Sequence, residues 1–488
     1  MFQKLLAEIP DYREFLTAAE LDDNSRRLAR EYPESVSLFE MGRTREDRSL
    51  LCLQIGRGER NALLFGCPHP NEPIGAMLLE YLSRRLAEDA ALREALGYTW
   101  YIVKAWDADG LVKNEGWLKG PFRIYSYTRH FFRPAGTAQV DWTFPVDYKR
   151  LHFHDVLPET QAMMDLIDRI RPEFIYALHN AGFGGTYWYE SEPTPAIYDT
   201  LHSIPGKYNI PLSLGAAESP ANKSFAPAIY RCGGAREEYD YLEKYGGGDR
   251  EELNRLRMGD NSASYAYMRY GSFTLLTELP YFYDPRVADT SPSDMTRLEV
   301  LRQSVKETEQ INRDLRRILA LSEPYMSADN PYRDAVRDFS QEAGSARAAL
   351  NQAEADPAFQ QAATQAEKLD QLVISKFYKA ILYGMLVRAN ETELERTTTG
   401  ETRAKCLQQG YEEALGGLKT ITDYLESRLQ YSVVPIRDLI AVQLESGLAV
   451  LGHLDNRRRG AACGSTDPDM EQPEGEEGRT SGKTRISV

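Results

Sequence analysis

Five short runs in residues 1–292, SLLCLQIG, NALLFGC, TWYIVKAW, FIYALHN and SFTLLTEL, are almost wholly apolar and rich in aromatic or aliphatic side chains. Their length suits strands. An uninterrupted apolar strand is covered on both faces, as strands of parallel sheets are. Between them lie stretches with apolar positions at helical spacing, such as 74–86 and 160–170. The alternation predicts an α/β fold, a mixed, mostly parallel sheet flanked by helices. Glycine-rich stretches such as HNAGFGGTYW and KYGGGD are loops, and such sheets carry their sites in loops beyond the strand ends.

From residue 293 strand-like runs vanish. Segments rich in Ala, Leu, Glu, Gln and Arg follow one another at 296–321, 358–390, 406–429 and 434–451. The reading is a catalytic domain over 1–292 and an all-α domain over 293–455. A chain of 488 residues exceeds one typical core, which agrees with that division. The helical domain is a packing module, a route to a homo-oligomer, or a wall of the cleft. The last segment, 456–488, is rich in Gly, Pro and charge without apolar periodicity and is expected to be a disordered tail.

The formal charge of -15 argues against a nucleic-acid partner, which needs a basic stripe to displace counterions. The five cysteines (Cys52, Cys67, Cys232, Cys406, Cys463) show no CxxC spacing, so neither a disulfide framework nor a thiolate zinc site is indicated. The opening, MFQKLLAEIPDYREFL, carries Glu, Asp and Pro where a secretory signal needs an unbroken apolar stretch. No run approaches the ~18 apolar residues of a membrane span. A cytoplasmic location without membrane contact is expected.

In NALLFGCPHPNEPIGAMLLEYL a strand runs into His69-Pro70-Asn71-Glu72-Pro73 and then a helix. A His and a Glu three apart can face one centre. Catalytic zinc takes imidazole nitrogen and carboxylate oxygen at about 2.0 to 2.2 Å from three protein ligands and keeps a fourth position open. The third ligand is sought at another strand end on the same sheet edge. FIYALHN places His179 there, beside Gly182, Gly184 and Gly185. The expected cofactor is one zinc ion per chain.

With those residues in place, the chain resembles the carboxypeptidase A-like family of zinc metallocarboxypeptidases over roughly residues 22–284. LAREYPESVSLFEMGRTREDRSLLCLQIG is similar to the family's opening helix and hairpin. CPHPNEPIG is similar to its first metal motif, and WDADG to its Asn-Pro-Asp-Gly turn. VLPETQAMMDLIDRIRPEFIYALHNA is similar to the helix and strand that deliver the third ligand, and GSFTLLTELPY to the strand bearing the catalytic glutamate. The resemblance implies zinc on His69, Glu72 and His179 and Glu278 as general base. It also implies Asp141 in QVDW as the carboxylate that orients a metal-bound imidazole. An oxyanion-stabilising arginine is implied in RIYSYTRHFFRPAG, where Arg129 and Arg133 are both candidates.

The sequence departs from that family in two places. Asp141-Trp142-Thr143-Phe144-Pro145 stands where members hold the substrate's terminal carboxylate with an Asn-Arg pair. NRLRMGD stands where they carry a mobile tyrosine, with Tyr245 and Tyr267 as conceivable substitutes. His152 and His154 form an HxH pair open to a second metal or to a structural role. The expected activity is zinc-dependent hydrolysis of a peptide or small amide. The rivals are a deacylase of N-acyl amino acids or blocked peptides, and a non-catalytic relative that binds peptides or a partner.

Overall fold

The five apolar runs all become strands of one nine-stranded sheet. The computed structural model describes residues 2–246, 258–341, 344–396 and 400–463. In chain order the strands are β1 (Val36–Arg43), β2 (Ser49–Ile55), β3 (Arg60–Gly66), β4 (Tyr98–Val103), β5 (Phe174–Leu178), β6 (Tyr187–Glu190), β7 (Ser224–Ala226), β8 (Ile229–Arg231) and β9 (Phe273–Glu278). They lie in the order β1-β2-β4-β3-β5-β9-β6-β8-β7. The central four, β4, β3, β5 and β9, are mutually parallel. The antiparallel β1 and β2 extend one side, and β6 turns antiparallel to β9 on the other.

Successive side chains of a strand point to opposite faces, and here both faces are buried. Ala62, Leu64, Phe174, Tyr176 and Leu178 join one apolar cluster. Leu63, Phe65, Ile175 and Ala177 join another. Helix α1 (Ile74–Glu88) covers the first face and α2 (Pro158–Ile170) the second. This double cover explains why those runs carry no polar alternation.

The register aligns the strand ends that matter. Gly66 of β3 pairs with Leu178 of β5, and Leu178 pairs with Thr277 of β9. The residues just beyond, His69, His179 and Glu278, therefore emerge at one carboxyl edge. Glycine is required at position 75, where α1 begins. A Cβ there would stand 2.5 Å from Leu178 Cβ, so the absent side chain lets the helix start press on the strand that carries His179.

The remaining helices include α3 (Arg297–Ser322), α4 (Ser375–Arg396), α5 (Glu401–Arg428) and α6 (Ile436–Cys463). The 358–390 stretch is not one helix. It divides into a 3-10 turn, Pro357–Gln360, a short strand, Ala362–Thr364, a helix restarted at Gln365 by a Thr364/Glu367 capping box, a π turn, Asp370–Ile374, and then α4. Pro357 and the capping box dictate those breaks. Helix α6 reaches Cys463, so the tail expected from residue 456 is helical as far as 463. Residues 464–488 lie outside the described residues.

These helices share their core with the sheet. Phe377, Leu386, Leu418 and Val442 belong to the same apolar cluster as Phe174 and Tyr176. A Cβ at Gly384 would meet the Thr128 carbonyl oxygen at 1.8 Å, so α4 lies directly on the Ile124–His130 helix. On α6, Gln443 accepts the Tyr176 hydroxyl at its carbonyl (2.6 Å). Its Nε2 donates to the carbonyl of His179 at 3.3 Å. Among the described residues no helix is long and apolar enough to cross a membrane.

Candidate active site

His69, Glu72 and His179 converge. Their donor atoms all lie within 4.8 Å of one another, and all three residues are buried. His69 Nδ1 is 3.0 Å from Glu72 Oε1, and His179 Nδ1 is 3.0 Å from Glu72 Oε2. Donors held about 2.1 Å from one tetrahedral ion stand roughly 3.4 Å apart, so these separations fit a single small cation. Both nitrogens of His179 and Nε2 of His69 have no hydrogen-bond partner. Orphaned buried polar atoms of that kind need an explanation, and a metal ligated by the imidazoles supplies one for the nitrogens that face the centre.

Protonation suits the same use. Burial, helped by Arg133, pushes the His69 imidazole down to about 3, which leaves it neutral at pH 7. Burial pushes Glu72 up, but the two imidazoles overcome it and hold the carboxyl well below its ordinary range.

Glu278 closes the group. Its Oε1 is 3.7 Å from His179 Nδ1, and its buried Oε2 is without a partner. Burial, then the charges of Glu72 and Glu218, push its carboxyl well above the ordinary range. Asp141 faces the same cavity. Its Oδ1 accepts the Ser262 backbone N–H at 2.8 Å, and no hydrogen bond joins it to His69 or His179 among the described residues. Burial raises it to about 6, against the pull of His179.

The two arginines part company. Arg133 Nη1 lies 3.4 Å from Glu72 Oε1. Its Nε donates to Gln139 at 2.9 Å, and the guanidinium sits over Trp142, 5.0 Å from the ring centroid. Arg129 instead pairs with Glu391 of α4 at 2.7 Å and does not line the cavity. Tyr245 packs on Tyr241, Tyr267 is 37% exposed on the surface, and neither lines the cavity. His152 and His154 are exposed and share Asp147. Among the described residues, the one group of three or more candidate ligands is His69, Glu72 and His179.

Other contributors carry no sequence signal of their own. Asn180 donates its backbone N–H to Glu72 Oε2 at 3.3 Å, accepts the N–H of Ile74 and the Tyr281 hydroxyl at Oδ1, and donates Nδ2 to Leu279 O. It ties the segments of Glu72, His179 and Glu278 together. The cavity, about 560 Å³, is also walled by Phe377, Tyr378, Ile381 and Met385 of α4. A clue to that wall was available, because residues 380–387 of α4, AILYGMLV, form an uninterrupted apolar run of two turns, and a helical stretch apolar all round is buried.

Residues 22–246 match the family model described as zinc carboxypeptidase. No curated protein matches by sequence. Among solved structures, carboxypeptidase A from Helicoverpa armigera aligns at 16% identity and a TM-score of 0.37, covering 57% of this chain and 69% of that one. A metallo-carboxypeptidase from Burkholderia cenocepacia aligns at 17% identity and a TM-score of 0.31, covering 54% of this chain and 59% of that one. This chain thus spans under two thirds of the Burkholderia protein.

Proposed function

From residues 22–246 as a zinc carboxypeptidase-family domain, we propose that the chain is a zinc-dependent hydrolase of peptide or small amide bonds. His69, Glu72 and His179 hold the metal and Glu278 is the general base. The observation that carries this is the convergence of three buried donors with an unpartnered carboxylate oxygen of Glu278 beside them.

Zinc, when bound, lowers the pKa of a water molecule toward ~7 and polarises a carbonyl. Glu278 takes a proton from the attacking water and returns it to the leaving nitrogen, and a carboxyl whose pKa lies above the ordinary range suits both halves. Arg133 is the arginine we assign to the developing oxyanion, because Gln139 and Trp142 fix its guanidinium beside Glu72. The wall of α4 helps to exclude bulk water.

A deacylase acting on small N-acyl amino acids or blocked peptides is the second reading. It is favoured by the cavity's cations, which among the described residues are Arg133 and Lys379. Arg133 is already engaged with Glu72 and Gln139, so among the described residues no spare guanidinium lines the cavity to clamp a terminal carboxylate, a group that blocked peptides lack.

The test is Glu278→Gln on the zinc-loaded chain, assayed against peptides with free and amidated C-termini and against N-acyl amino acids. Turnover should fall by about 10²-fold or more while zinc content stays at wild-type level. Unchanged turnover would remove Glu278 from the mechanism. Peptides longer than two residues being ignored would favour the deacylase.

A further inference from the structure

Glu218 lines the same cavity as Glu278 but belongs to the loop between β6 and β7. One oxygen accepts the Tyr187 hydroxyl at 2.5 Å and the other accepts the Tyr189 hydroxyl at 2.8 Å. Asn222 Nδ2 donates to the same Tyr189 hydroxyl at 2.9 Å. Both tyrosines are buried on β6, so the carboxylate is held from behind by a rigid rack. The loop is fixed at a second point. The backbone N–H of Ala216 donates to the Asp370 carboxyl, and a Cβ at Gly215 would stand 3.0 Å from Asp370 Cβ. The π turn opened by Asp370 therefore anchors a loop of the cleft.

Two hydroxyls satisfy about half of a carboxylate's lone pairs, and the rest of Glu218 is open to the cavity. The other acids on the wall are already occupied. Glu72 and Glu278 belong to the metal centre, and Asp141 takes the Ser262 N–H. Glu237 lies 3.4 Å from Arg231, and Glu238 takes the Ser219 hydroxyl. Glu218 has no ion-pair partner among the described residues. Tyr189 and Tyr378 line the same cavity, and Tyr378 is 40% exposed. A carboxylate with aromatic walls is a receptor for an ammonium or guanidinium group.

We propose that Glu218, held by Tyr187 and Tyr189, is the specificity residue of the cleft and receives a cationic group of the substrate. The role of that group as part of a substrate rests on the hydrolase reading; its binding does not.

Binding and turnover are therefore measured separately on the zinc-loaded full chain. Arginine and citrulline, which match in shape and differ in charge, are titrated by calorimetry. N-blocked dipeptides ending in arginine, citrulline or glutamate are assayed for hydrolysis. Wild type should favour arginine over citrulline by at least about tenfold in Kd, and the same order should hold in kcat/KM. Glu218→Gln should bring the binding ratio within about twofold, and Glu218→Lys should invert the preference toward glutamate. Thermal melts confirm that each variant is folded, and Tyr187→Phe, which removes one hydroxyl donor, should weaken the ratio. Equal Kd values in wild type, or an undiminished ratio in Glu218→Gln, would overturn the assignment. An arginine preference in binding without any hydrolysis would leave Glu218 standing and sink the hydrolase. Hydrolysis without a charge preference would do the reverse.

Discussion

The ring of Phe377, from α4, lies nearly parallel to that of Tyr127, with planes 14° apart and centroids 5.7 Å apart. Phe377 is fully buried and also abuts Gly182, where an added Cβ would stand 2.6 Å from its ring. One side chain thus joins the helices to the loop that follows His179. Truncation to alanine should cost about 3 to 5 kcal/mol in urea unfolding. A fragment of residues 1–292 should fail to fold, because the cluster that covers one sheet face loses a large share of its members. A soluble fragment with a single cooperative melt would show that the helices are a separable domain.

Metal and stability should be linked. Three buried donors converge on one point, so zinc that binds only the folded chain raises the melting temperature, by about 4 kcal/mol in stability at a thousandfold excess over Kd. Emission spectrometry on wild type, His69→Ala and His179→Ala should give one zinc per chain in the first and none in the others. A zinc-insensitive melt in wild type would leave the site without a metal.

Asn180 offers a test of positioning. It touches Glu72 and the start of α1 but is not itself one of the three converging donors. Asn180→Ala should weaken zinc affinity by roughly 10- to 100-fold, as for other groups that orient metal ligands, measured by competition with a chromogenic chelator. Wild-type affinity in the folded variant would mean that the backbone N–H alone holds Glu72.

Glu190 carries a pH signature. It is fully buried, its Oε1 takes the Thr194 hydroxyl at 2.7 Å and its Oε2 has no partner. Burial raises its carboxyl from 4.5 to about 7. Below pH 4.5 folded and unfolded chains both hold the proton. Between 4.5 and about 7 the unfolded chain releases it and the folded chain keeps it, so stability falls as pH rises. The loss is complete above about 7, on the order of 3 kcal/mol. Glu190→Gln lacks this loss, so its stability relative to wild type should climb across that window. Parallel curves from pH 4 to 8 would mean that Glu190 ionises freely in the fold.

The convergence of His69, His179 and Glu278 was legible because each sits at or just beyond the end of an apolar strand run, parallel register carries such ends to one edge, and Glu72 follows His69 by three residues in the same turn. Asn180 and Tyr281 were not legible, since their roles exist only where three distant segments meet. The choice between Arg129 and Arg133 turns on where the Ile124–His130 helix stops. Arg129 is inside it and reaches Glu391, whereas Arg133 lies beyond it and turns to Gln139 and Glu72. Glu218 stands in an aperiodic loop, SLGAAESP, that says nothing of the tyrosines behind it. The helices after residue 293 were readable as helices by spacing. Spacing does not say whether an apolar face meets the same chain or another; the shared cluster shows faces of these helices meeting the sheet of the same chain.

The contacts of Gln443 bear on how the protein is made. A nascent chain with residues 1–292 already outside the ribosome carries every group of the proposed metal centre. It still lacks the helix that seals Tyr176 and holds the carbonyl of His179. On the strand leading to that histidine, the Tyr176 hydroxyl stays without its Gln443 acceptor until translation has passed α6. A message cut short before that helix would thus yield a polypeptide with His69, Glu72, His179 and Glu278 all present and an unfinished scaffold around them.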